Sequence, residues 1–171
     1  MMTHAGGGIS AMSAGEESGE RRGVAVMREH GAVLARVCMA LLGDAAAASL
    51  ALERVATEAG RATFEVGDDA LARVMGMARG ACAHQLARVP IRGASQSGDD
   101  KASTRGQGRE PALARAATGR LKPTEREAIV LHMVGGLDAA QVAEACGIDL
   151  ETARGRIARA VAQLVEEDRR R

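Results

Sequence analysis

Apolar positions recur at three- and four-residue intervals through most of the chain, the spacing of helices with one buried face. Met27, His30, Leu34, Val37, Cys38 and Leu41 fall on one side of a first helix read from Val24. Gly43 and Asp44 break that helix, and Asp44 is placed to cap a second running to about Arg61. A third is predicted from Asp69 to Arg88, with Leu71, Val74, Ala78, Cys82 and Leu86 inward and Pro90 as its stop. Residues 1–22, rich in Gly, Ser and Glu, read as a disordered leader. Residues 90–111 have few apolar positions and no period, and read as a flexible linker. The expected fold is all-α: two small helical modules, 23–89 and 112–171, on either side of that linker.

Local signals are sharpest in the second module. Thr124 and Glu127, just after Pro123, have capping-box spacing and open a helix that should end at Gly135-Gly136. Asp138 and Gln141 repeat the box ahead of a short helix ending near Cys146-Gly147. Asp149 can then cap a longer helix reaching about Glu166. A short helix, a Gly-containing turn and a longer helix make a helix-turn-helix.

Composition supports the class and narrows the chemistry. Roughly a fifth of the chain is Ala, a helix former, and Phe64 is the one aromatic. Without Trp or Tyr there is no base-stacking platform and no aromatic cage. Lys and Arg number 23 against 22 Asp and Glu, so the net charge of +1 excludes a uniformly cationic binder and leaves room for a local basic face. Cys38, Cys82 and Cys146 are far apart in sequence and odd in number. They suggest neither a disulfide framework nor a zinc site, and a reducing cytoplasm suits them. The longest apolar stretch, near Ala45–Leu52, is too short for a bilayer, and the N-terminus lacks the pattern of a signal peptide. The triple glycine at Gly6–Gly8 has no Lys-Ser/Thr after it and reads as tail rather than phosphate loop.

On the last helix Ala153, Ile157, Ala160, Val161 and Leu164 form the expected inner stripe, packing on Ile129, Leu137, Val142 and Ile148. Glu151, Thr152, Arg154, Gly155, Ala158 and Arg159 face outward, with Arg156 at the flank. Hydroxyl and guanidinium groups near the start of such a helix suit the major groove, where Arg forks onto guanine or onto phosphate. Gly155 costs about 1 kcal/mol relative to Ala in a helix interior. It implies either close approach of backbone to the groove or reduced base readout. No catalytic constellation is visible. His4, His30, His84 and His132 lack metal-ligand spacing, and Asp68-Asp69 and Asp99-Asp100 read as solvated turn residues. Cys146, at the corner of the helix-turn-helix, reads as packing. No enzyme, metal, cofactor, membrane or small-molecule substrate is expected.

Residues 121–164, LKPTEREAIVLHMVGGLDAAQVAEACGIDLETARGRIARAVAQL, resemble region 4 of the sigma-70 family, especially its short extracytoplasmic-function (ECF) type. Val142-Ala143-Glu144 and Thr152-Ala153-Arg154-Gly155-Arg156 occupy the positions of the family's Ile-Ala-Glu and Thr-Val-Lys-Ser-Arg. LuxR-type response regulators share a similar helix-turn-helix, so the first module arbitrates. There, residues 34–61 and 64–88 resemble region 2, with Leu41-Leu42-Gly43-Asp44 retained. The resemblance implies a cytoplasmic, nucleoid-associated bacterial factor. Arg154, Arg156 and Arg159 would meet a −35-like promoter element, and His132 would face backbone phosphate. Leu50, Glu53 and Arg54 would lie on the surface that meets core RNA polymerase.

The chain departs from the family at those polymerase-facing positions, where Leu50, Glu53, Arg54 and Ala56 replace Asp, Gln, Glu and Phe. A reversed charge at such an interface costs several kcal/mol. Arg73 and Met75 stand where the promoter-melting helix usually carries Trp and Tyr, and Gly80 and His84 replace Asn and Asp. These departures define two alternatives to a working initiation factor. One is a sigma-derived regulator that binds DNA without recruiting polymerase; the other is a decoy that binds an anti-sigma factor.

Overall fold

A computed structural model describes residues 12–64, 69–88 and 119–170, and all its regular structure is helical. Helices α1 (Met12–Leu42), α2 (Ala45–Arg61) and α3 (Ala70–Arg88) pack on one another. Helices α4 (Pro123–Met133), α5 (Ala139–Cys146) and α6 (Leu150–Arg169) form a second group. Gly6–Gly8, Asp68, Pro90, the 90–111 stretch and Asp99-Asp100 lie outside the described residues.

The predicted stops and starts are local hydrogen-bond devices. Gly43 takes a left-handed φ of 71° and ends α1, and the Asp44 carboxylate then accepts the Ala47 amide at 2.7 Å to open α2. Asp69 does the same for α3, accepting the Ala72 amide at 3.0 Å. Three expectations are corrected. α1 begins at Met12, inside the stretch read as a leader, where Ala, Met, Glu and Arg favour helix. Thr124 does not cap α4, because Pro123 takes the first helical position and leaves Lys122 at the N-cap with no side-chain bond. Leu86 is 52% exposed rather than inward; it forms the wall of a shallow groove with Leu41, Cys82 and Pro123.

The core is thin in side-chain volume. α2 buries Ala48, Ala51, Val55 and Ala59, and α3 buries Ala72, Val74, Met75, Ala78, Ala81 and Cys82. Ala contributes little burial, so the larger side chains Leu34, Val37, Val55 and Met75 matter most, each worth about 1.5–3 kcal/mol. Phe64 is buried, as expected, and the Arg73 guanidinium lies over its ring at 5.0 Å while donating to the Thr63 carbonyl at 3.2 Å. Cys38 and Cys82, distant in sequence, meet between α1 and α3. Their mutual hydrogen bond first, and burial second, push the Cys82 thiol up.

The two helix groups share this core. Val130, Leu131, Leu137 and Val142 belong to the same buried cluster as Leu34 and Met75. α3 and α5 approach so closely that a Cβ on Gly76 would stand 3.0 Å from the Ala145 carbonyl oxygen. Polar bonds frame the crossing. Arg79 donates from Nε to the Ala145 carbonyl at 3.2 Å and from Nη1 to Glu127 at 3.4 Å. Gln141 Nε2 donates to Asp69 Oδ2 at 2.6 Å. Glu127, read from sequence as a capping partner, is thus a bridge to α3.

Candidate nucleic-acid interface

α5, its turn and α6 form the predicted helix-turn-helix. Asp138 accepts the Ala140 and Gln141 amides, and Gln141 Oε1 accepts the Asp138 amide at 2.9 Å, completing the capping box. Gly147, at φ 65°, closes α5, and the Ile148 amide returns to the Ala143 carbonyl at 3.0 Å. Asp149 then accepts the Thr152 amide at 2.8 Å and the Thr152 hydroxyl at 2.6 Å. These bonds, the hydroxyl's first, hold the Asp149 carboxyl below the usual aspartate range.

Behind the motif, a Cβ on Gly135 would collide with the Leu131 carbonyl, so the chain leaves α4 in a turn only glycine fits. His132 is half-buried, and its Nδ1–H donates to the Leu137 carbonyl at 2.7 Å across that turn. The ring therefore braces the turn with one nitrogen.

α6 packs through Ala153, Ile157, Ala160 and Leu164 on Leu121, Ile129 and the main core. Val161 departs from the expected stripe and is 42% exposed, because it lies one residue beyond Ala160 and rotates outward. The outer face carries the anticipated residues, each with its own surroundings. Glu151 and Arg154 are exposed and paired at 3.0 Å. Thr152 has its hydroxyl committed to Asp149. Arg156 is half-buried and close enough to Cys146 to act on its thiol, although burial dominates and raises it. Arg159 reaches back across α4 to Glu125, Nε to Oε1 at 3.1 Å. Glu125, 5% exposed, is the one buried charged residue among those described, and its role was missed from sequence. Gly155 lies beneath the Arg159 side chain, where a Cβ would stand 3.2 Å from Arg159 Nη1. A glycine one turn before an arginine was the available signal.

The polymerase-facing candidates lie on α2, which packs on α1 and α3 and leaves their face open. Leu50 is 53% exposed, Glu53 is exposed, and Arg54 is exposed but bonded to Glu58 at 2.7 Å. No group of three or more His, Cys, Asp or Glu able to hold a metal ion occurs among the described residues. No helix among them is long and apolar enough to cross a membrane.

Residues 112–164 match the family described as sigma-70, region 4. Two solved structures are similar over most of their length. CnrH, in complex with the cytosolic domain of CnrY, aligns with a TM-score of 0.67 at 19% identity, covering 90% of this chain and 92% of that one. The sigma factor RpoE of Bartonella quintana, in complex with the anti-sigma factor NepR, aligns with a TM-score of 0.61 at 21% identity, covering 81% and 93%. No curated protein matches. The C-terminal helix-turn-helix lies within the residues that match sigma-70 region 4. Over the aligned parts the chain shares the fold of these two structures.

Proposed function

We propose that the protein is an ECF-type sigma factor, a transcription initiation factor that brings core RNA polymerase to promoters with a −35-like element. The observation that carries this reading is the capped α5–turn–α6 unit, within the residues that match sigma-70 region 4, with Arg154 and Arg159 on its outer side and Arg156 at its flank. In this reading α6 enters the major groove, with Glu151, Thr152 and Gly155 along the contact and His132 near backbone phosphate. Leu50, Glu53 and Arg54 on α2 form the polymerase surface. The division at the 90–111 stretch separates the polymerase-binding function from the DNA-reading one. The protein acts in the bacterial cytoplasm at the nucleoid. An anti-sigma factor is a further partner, by analogy with the RpoE complex. The reading requires no cofactor.

A second reading, a DNA-binding regulator that no longer recruits polymerase, is favoured by the α2 face. There Arg54 replaces an acidic family position and is engaged by Glu58. Size-exclusion chromatography with core polymerase separates the two: co-elution supports the initiation factor, and separate elution of a folded chain supports the regulator. In a gel shift at low salt, R154A/R159A should abolish promoter binding with helicity intact. Unchanged binding would remove α6 from the interface.

A further inference from the structure

Of the three arginines on α6, one is held differently from the others. Arg154 pairs with Glu151 within a single helix, both side chains largely in water, a contact that rearranges freely. Arg156 is half-buried at the flank. Arg159 is anchored from a different helix. Its Nε donates to Glu125, whose side chain is only 7% exposed in the first turn of α4, while its own side chain remains 62% exposed. The guanidinium also lies over the bare backbone of Gly155, where a methyl group would crowd Nη1. The Glu125 carboxylate orients the fork from one side, and the bare backbone of Gly155 leaves room for it on the other. With Nε occupied, the Nη groups remain to donate outward.

We infer that Glu125 is a positioning residue: it holds Arg159 in the orientation that reads one guanine, while Arg154 and Arg156 act on the phosphates. The inference rests on the reading that α6 enters the major groove. A guanine presents two acceptors, O6 and N7, to a planar fork, and recognition demands orientation as well as charge. An arginine free to rotate satisfies a phosphate as readily as a base. One whose Nε is tethered keeps its plane. The Glu125 bond restricts, in the free protein, part of the rotamer freedom that binding would otherwise remove. The same geometry gives glycine in the middle of the helix a further role: it leaves space for the Arg159 side chain.

The test uses the full-length chain and a pool of DNA duplexes with a randomised core. Base preferences and affinity for non-specific duplex are measured for wild type, E125A, E125Q, G155A and R159K. R159K keeps the charge and loses the fork, and so identifies the base pair read by Arg159. E125A and G155A should lose preference at that same base pair by roughly tenfold. Their non-specific affinity should stay within about twofold of wild type, because every arginine is retained. E125Q, which keeps an acceptor for Nε, should retain part of the preference. G155A replaces neither member of the ion pair, adding only a methyl group against Arg159 Nη1, and improves helix propensity, so its result stands even where E125A folds poorly. Equal losses of specific and non-specific binding in both E125A and G155A would overturn the inference. So would lost preference at a base pair different from that of R159K. A wild-type chain that enriches no sequence would instead refute the groove reading itself.

Discussion

Replacing Arg79 with Ala tests whether the two helix groups behave as one folded unit. Arg79 sits on α3, and both of its bonds cross to the other group, to the Ala145 carbonyl and to Glu127. Ala145 lies in the last turn of α5, where carbonyls lack partners in the helix ladder and a cation meets the negative end of the helix dipole. A hydrogen bond from a charged donor is worth about 1.5–3 kcal/mol. The bond to Glu127 is long, and both side chains are about a quarter to a third exposed, so solvent screening leaves it about 0–1 kcal/mol. The combined loss for R79A is therefore about 2 kcal/mol, a large share of a stability on the order of 5–15 kcal/mol. With a urea slope near 2 kcal/mol/M, the unfolding midpoint should fall by about 1 M. Far-UV circular dichroism should show one transition in both proteins, because Leu131, Leu137 and Val142 share a core with Leu34 and Met75. R79K, which keeps a charge and loses the fork, should fall between them. An unmoved midpoint, or two transitions of which one moves, would show that the groups fold independently and refute the argument.

Two further predictions concern titration and thiol reactivity. The Asp69 carboxyl is held below the usual aspartate range, first by the Ala72 amide and then by Gln141, so its folded value lies beneath its unfolded one. It stabilises the fold at neutral pH, and this contribution disappears as pH falls through the depressed value; the melting difference between wild type and D69N should shrink on acidification, and a constant difference would contradict it. At neutral pH a maleimide should label half-buried Cys146 before Cys38 and Cys82, with all three reacting in denaturant. Mass mapping that finds equal native rates would disprove that order.

What the sequence made legible follows the range of the interactions. Asp44, Asp138 and Asp149 were readable as caps because each bonds to an amide two or three residues ahead, and a left-handed glycine closes the helix before two of them. Thr124 failed for an equally local reason, the shift imposed by Pro123. Leu86 and Val161 were misplaced because a helical wheel assigns a face without knowing where the neighbouring helix ends. The contacts that organise the site were out of reach. Glu125 meets Arg159 across 34 residues, Arg79 meets Ala145 across 66, and Asp69 meets Gln141 across 72. No period or spacing encodes a pair that exists only once two helices have packed, and the same holds for the Cys38–Cys82 contact.

On the proposed reading, the charges on α6 also bear on how the protein would hold DNA. Glu151 engages Arg154, Glu125 engages Arg159, and Asp149 occupies the Thr152 hydroxyl, so groove entry exchanges existing partners for DNA. The whole chain carries a net charge of only +1, leaving no surplus field to draw in a duplex. Neutralising the two phosphates met by Arg154 and Arg156 would give a salt slope of about −2, against about −10 for a strongly electrostatic repressor. Affinity from α6 alone should therefore be weak, with its information concentrated in orientation rather than charge. Firm promoter occupancy then requires a second anchor that raises the effective concentration of α6 at its site. On this fold, the open face of α2 carrying Leu50, Glu53 and Arg54 is the candidate for that anchor. A helix-turn-helix whose arginines are already paired is suited to working as one contact among several.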